Sequence, residues 1–199
     1  MSRTWLLRAL AGLFVLCLVM LGALLYLIET SRPPTIATEP SGEAIGKFTA
    51  LSEPRPAPPA TLTADSGKEV TLDSFRGRTV LINFWATWCA PCIEEMPSLL
   101  RLQQKLDGLT ILAVSEDRRG AELVDPFVAQ HGVQKLAIYL DPKNAVGHAF
   151  AIEGLPTSVL IDRDGRIRAE LQGAAKWDSG EMVERLRAYV DETGAASLK

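Results

Sequence analysis

Cys89 and Cys92 stand three positions apart, with Ala90 and Pro91 between them and Glu95 one helical turn further on. Two thiols at that spacing can close into a disulfide and reopen, and the chemistry they offer is thiol–disulfide exchange. The thiolate is the reacting form. A free thiol with a pKa near 8.5 is only about 3% ionised at neutral pH, so the surroundings must make the first sulfur more acidic. The second cysteine can then attack the mixed disulfide formed by the first and release the captured chain. Glu95 has two readings, which the residues leave open. It is a group of the site or, with Glu94, a first-turn acid favoured by the helix dipole. A carboxylate close to Cys89 would also raise the thiol pKa, so the net acidity of the sulfur is not fixed by these residues.

The neighbouring residues predict the elements that hold the pair. Thr79 to Trp85 is short, apolar, β-branched and aromatic, which predicts a buried strand. Met96, Leu99, Leu100, Gln103 and Leu106 fall at helical spacing and predict one mainly apolar helix face. Cys89 then lies at the mouth of that helix, where unpaired N–H groups and the macrodipole favour an anion. Pro91 costs nothing in a first helical turn, where its missing N–H has no partner to lose. Trp85, inside the strand, reads as core packing. Trp88, beside the nucleophile, is expected to cover the site and offer substrate an apolar contact.

The run Phe84-Trp85-Ala86-Thr87-Trp88-Cys89-Ala90-Pro91-Cys92, followed by Glu95-Met96-Pro97, resembles the active-site signature of the thioredoxin superfamily. More narrowly, it is similar to the membrane-anchored TlpA/ResA/DsbE branch, and the resemblance covers most of Thr61 to Thr193. Gly154-Leu155-Pro156-Thr157-Ser158-Val159-Leu160-Ile161-Asp162 and Gly173-Ala174-Ala175-Lys176-Trp177 look most like TlpA. The resemblance implies an α/β thioredoxin-like fold, a mixed central sheet flanked by helices, with an N-terminal hairpin and an extra helix–strand insertion. It implies that Cys89 and Cys92 form the redox-active disulfide and that Glu95 belongs to the site. It also implies that Pro156 follows a cis peptide bond and faces the cysteines. The main chain of Leu155 is then free to pair with extended substrate. Asn83 stands where thioredoxins carry a buried Asp, and it cannot exchange a proton at neutral pH.

The 199 residues carry a net charge of −3, too small and too negative for a nucleic-acid binder. Ala9 to Ile28 is an uninterrupted apolar run preceded by Arg3 and Arg8. It is long enough for a single transmembrane helix, and the basic residues place the N-terminus in the cytoplasm. No small-residue cleavage site follows, which favours an anchor over a signal peptide. Cys17 reads as a small apolar residue within it. The expected organisation is an anchor over 1–28, a proline-rich linker over 29–60, the thioredoxin-like domain over 61–193 and a tail over 194–199. Within the domain the patterning predicts a hairpin of Thr61-Leu62-Thr63 with Val70-Thr71-Leu72, and strands at Leu109–Val114, Leu136–Leu140, Thr157–Ile161 and Ile167–Leu171. It also predicts a helix facing inward through Leu123, Val124, Phe127 and Val128, its start broken at Asp125-Pro126. A short helix follows at Asn144–Ile152, and a last one is capped by Asp178 with Glu181.

These readings converge on a single-pass protein of the bacterial inner membrane with its thiol site in the periplasm, reducing disulfides of other proteins. The Ala-Pro pair resembles the Gly-Pro of reducing thioredoxins, so reduction is the expected direction. A reductase outside the cytoplasm needs electrons, which the resemblance supplies through a DsbD- or CcdA-like membrane donor. Its targets would be copper-centre assembly factors of cytochrome oxidase or, alternatively, apocytochrome c. No cofactor or metal is expected. A thiol peroxidase lacks its Pro-x-x-x-Thr-x-x-Cys context here, and a copper carrier using Cys89 and Cys92 lacks further ligands. His131 and His148 are isolated, and Trp177 reads as a packing residue.

Overall fold

The computed structural model describes residues 20–23 and 46–196, with side chains to residue 192. The chain divides after Gly42. In the first unit residues 20–23 are helical, with Met20 and Leu21 exposed. Among the described residues no helix is long and apolar enough to cross a membrane. Apart from residues 20–23, the anchor expected over 1–28, with Cys17, and the linker up to residue 45 lie outside the described residues.

The second unit is one eight-stranded mixed sheet with helices on both faces. Its strands are β1 (Lys47–Pro56), β2 (Thr61–Ala64), β3 (Glu69–Thr71), β4 (Thr79–Trp85), β5 (Leu109–Ser115), β6 (Ala137–Leu140), β7 (Thr157–Ile161) and β8 (Arg166–Gln172). They lie in the order β1-β8-β7-β4-β5-β6-β2-β3. Between them run α1 (Ala90–Lys105), α2 (Ala121–His131) and α3 (Ala145–Ala149), and α4 (Gly180–Ala196) closes the unit. The expected hairpin is β2–β3, paired antiparallel, and α2–β6 extends the sheet beyond β5.

Strand β4 organises the rest. All seven of its residues are buried, and it pairs parallel with β5 and antiparallel with β7. Alternation sends Val80, Ile82 and Phe84 into one apolar cluster, with Val146 and Phe150 packed there from α3 and its end. Leu81 and Trp85 face the other cluster with Met96, Leu99, Val124 and Leu186 of α1, α2 and α4. Asn83 shares that second face by the same period. A polar side chain is thereby placed beneath α1.

Four local expectations are corrected. Residues 47–56, assigned to the linker, form edge strand β1, antiparallel to β8 with a register shift between Ala50 and Arg55. Pro54 and Pro56 are tolerable there because an edge strand has one side with no ladder to donate to. The buried stripe of α1 runs through Leu99 and Leu102, while Leu100 and Gln103 are half-buried. Helix α2 passes through Pro126 instead of starting after it; the lost bond is to the carbonyl of exposed Glu122, which water can reach. The cap of α4 is Ser179, whose Oγ accepts the Met182 N–H at 3.3 Å, while Asp178 pairs with Arg101.

Candidate active site

The loop from Ala86 to Trp88 carries the chain from β4 into α1, and Cys89 is the helix N-cap, with φ −91° and ψ 98°. Its N–H donates to the Ala86 carbonyl at 3.1 Å, and its carbonyl accepts from Ile93 at 3.1 Å. Cys89 and Cys92 are joined in a disulfide with their Cα atoms 5.3 Å apart. The two sulfurs are not equivalent. Cys89 keeps 6% exposure and Cys92 none, so only Cys89 can meet another protein's disulfide. Trp88 is 70% exposed beside it, an apolar surface where a partner would land. Pro91 sits in the first turn, and Pro97 lies inside α1 without ending it.

The loop is clamped from β5. Asp117 accepts the Thr87 N–H at 2.8 Å and the Thr87 hydroxyl at 2.7 Å, and the Ser115 hydroxyl at 2.9 Å. The Glu116 N–H donates to the Trp85 carbonyl at 2.9 Å. Sequence reasoning passed over Ser115-Glu116-Asp117. The signal available was their position at the carboxyl end of a parallel strand next to the cysteines, where α/β sheets place ligands.

Glu95 is 3% exposed, which excludes the surface-acid reading. Its Oε1 accepts from Asn83 Nδ2 at 2.8 Å, and its Oε2 accepts from the Ala175 N–H and Trp177 Nε1, both at 2.9 Å. Burial pushes the carboxyl up to about 7, against the pull of those three donors. It lies one turn beyond Cys92 on the buried side of α1. A carboxyl half-ionised near neutrality can take a proton from a buried thiol and return it. Asn83 can support either protonation form of Glu95 without a proton of its own. Its Nδ2 supports the charged form and its unpartnered Oδ1, after an amide rotation, can accept from the neutral form. Trp177, read as packing, is fully buried and also orients Glu95. Ser98 ties the same segment down, accepting the Trp177 N–H at 3.1 Å.

The Leu155–Pro156 peptide is cis, as the resemblance implied. Thr157 pairs with Phe84, which puts Pro156 at the end of the sheet where β4 enters the active-site loop. The Pro156 carbonyl is used by the Gly173 N–H at 2.9 Å. The Leu155 N–H and carbonyl have no partner among the described residues. His131 stacks on Phe127, and among the described residues no group of three or more His, Cys, Asp or Glu is placed to hold a metal.

Residues 52–189 match the Redoxin family. The chain belongs to that family. It is 36% identical over 119 residues to the thiol-disulfide oxidoreductase ResA of Bacillus thuringiensis subsp. konkukian, covering 59% of this chain and 68% of the relative. With ResA of Geobacillus kaustophilus the identity is 34% over 158 residues, covering 78% and 83%. A solved thiol:disulfide interchange protein from Bacteroides sp. superposes with a TM-score of 0.59 at 29% identity, covering 72% of this chain and 93% of that one. This redoxin is accordingly a thiol–disulfide oxidoreductase of the ResA/DsbE-like kind, and its substrates are proteins that contain disulfides.

Proposed function

We propose that this redoxin is a membrane-anchored reductase of protein disulfides outside the cytoplasm. The observation that carries the reading is the asymmetry of the cysteine pair, one sulfur reachable at a helix N-terminus and the other fully buried behind it. In the reduced protein the Cys89 thiolate attacks a target disulfide. One target sulfur leaves as a thiolate and a mixed disulfide forms. Glu95 takes the Cys92 proton, and the Cys92 thiolate attacks Cys89 Sγ. The second target thiol is expelled and the Cys89–Cys92 bond closes. Two electrons have passed to the target, and a membrane donor of the DsbD or CcdA kind restores them. Leu155 and Pro156 hold the target strand and Trp88 gives it an apolar platform.

Two properties of the sequence support the location: the apolar run over 9–28 and the basic residues before it. The copper-centre assembly route is favoured by the TlpA-like segment Gly173–Trp177, which supplies two of the three donors to Glu95. The second reading, reduction of apocytochrome c, is favoured by the ResA relatives. Cys92→Ser tests both, because a mixed disulfide at Cys89 then has no internal thiol to resolve it. Trapped copper-site assembly proteins support the first route and trapped apocytochrome c the second. No trapped partner in cells where Cys89 remains alkylatable contradicts the mechanism.

A further inference from the structure

The nucleophile hangs on a short turn. The Cys89 N–H closes that turn on the Ala86 carbonyl, and Trp88, the residue between Thr87 and Cys89, is 70% exposed. Thr87 is where the turn is tied to β5. Its N–H goes to Asp117 Oδ2 at 2.8 Å and its hydroxyl to Oδ1 at 2.7 Å. Both bonds end on a carboxylate, which makes them stronger than bonds between neutral groups.

Asp117 is itself held in place. The Ser115 hydroxyl donates to Oδ2 at 2.9 Å, and the same Ser115 oxygen accepts the Asp117 N–H at 3.1 Å. That closed pair fixes the direction in which the carboxylate points. Asp117 is 1% exposed and Ser115 fully buried, so bulk water does not compete for these bonds. A chain of three side chains thus runs from the end of β5 to the residue two places before the nucleophile.

The two steps of exchange ask different things of that turn. Cys89 keeps only 6% exposure, which leaves its sulfur a narrow line of approach, and attack on a disulfide requires the three sulfurs to lie in line. A shift of the turn that tips Cys89 inward closes that line. Closure of the Cys89–Cys92 bond depends instead on the start of α1, where the Cys89 carbonyl accepts the Ile93 N–H at 3.1 Å.

We propose that Ser115, Asp117 and Thr87 are positioning residues for the first step, aiming Cys89 at an incoming disulfide and taking no part in resolution. This rests on the reductase reading above. No proton or electron passes through the three side chains, and their task is complementary to that of Glu95, which acts on the second step.

The test uses the full-length reduced protein and a peptide closed by one disulfide, sampled by rapid acid quench. Capture is the second-order rate at which a Cys92→Ser background forms the mixed disulfide. Resolution is the first-order closure of the Cys89–Cys92 bond from a preformed mixed disulfide. Thr87→Val keeps the side-chain shape and removes the bond to Oδ1. It should slow capture about tenfold and leave resolution within about twofold. Thr87→Ser, which keeps the hydroxyl, should restore capture. Asp117→Asn can remake all three bonds, its amide oxygen replacing Oδ2 and its amide N–H given to the Thr87 oxygen, so capture should stay within about threefold of the native rate. Equal slowing of both steps in Thr87→Val, undiminished capture by that variant, or no recovery in Thr87→Ser overturns the positioning role while leaving the reductase intact. So does Asp117→Asn as slow as Thr87→Val, which would show that the charge matters and not the placement. Failure of the fully reduced native protein to open the peptide disulfide overturns the reductase reading and the positioning role with it.

Discussion

Glu95 and Glu116 are two carboxyls at the ends of elements that flank the active-site loop, both buried and both pushed up to about 7 chiefly by loss of water. Their surroundings are opposite. Glu95 has three donors converging from β4 and the segment before α4, and nothing about it asks for a further partner. Glu116 has one donor, a like charge in Asp141 and a buried oxygen left unpaired over Gly147. Equal acidity thus arises from a completed site in one case and an unfinished one in the other. The first suits a group that trades a proton with a neighbouring thiol in every turnover. The second is a carboxyl left short of donors beside a like charge, and the pKa by itself cannot tell them apart.

The comparison breaks most sharply at the level of rate. Glu95→Gln should slow resolution of the mixed disulfide by about a hundredfold, the low end of what general acid–base groups contribute, whatever residues flank the target cystine. Glu116→Gln should change it by less than about threefold. Stopped-flow exchange separates the two, and equal losses in both variants would erase the distinction.

Stability gives the next largest effect. A carboxyl raised from 4.5 to about 7 on folding binds more protons folded than unfolded between those values. The stability it contributes is therefore highest below pH 4.5 and falls as pH rises to 7. The loss is on the order of 3 kcal/mol for a shift of that size. Denaturant unfolding of the oxidised protein should show a decline over that window. Glu95→Gln and Glu116→Gln should each flatten part of it, and an unchanged slope in the double variant would mean that neither group titrates there.

A smaller effect should separate the donors. Trp177→Phe keeps most of the ring volume and removes one hydrogen bond to Glu95. The carboxyl should then move up, shifting the pH midpoint of exchange upward by about one unit. A lower rate with no shift would return Trp177 to packing alone. The smallest effect belongs to Asn144→Ala, which takes the donor from Glu116. It should leave the exchange midpoint in place and move only the Glu116 titration, upward.

The parts of this site that were legible in the sequence are those carried by short spacing. Strand β4 and the helix entry at Cys89 follow from residues within one element, while the cis proline came from the resemblance to the thioredoxin superfamily and not from the spacing itself. The parts that were not legible depend on partners distant along the chain. The Ala175 N–H and the Trp177 indole reach Glu95 across 80 and 82 positions, and no periodicity records such a contact. Strand β1 was hidden by Pro54 and Pro56, whose usual meaning changes at a sheet edge. Asp178 looked like a cap because its type is right, but Arg101 already holds its carboxylate. Glu116 gave no signal beyond standing at the end of a parallel strand. Its unpaired oxygen is a property of the packed structure.

The central claim is that Glu95 is the proton acceptor that frees Cys92 to resolve what Cys89 captures. The pH dependence of resolution in a single turnover, followed by rapid acid quench from a preformed Cys89 mixed disulfide, tests it most directly. The rate should rise through a midpoint near 7 in the native protein and in Glu116→Gln, and that step should be missing from Glu95→Gln. The same midpoint and amplitude in Glu95→Gln would show that the proton goes elsewhere and that the buried carboxyl has no part in the exchange.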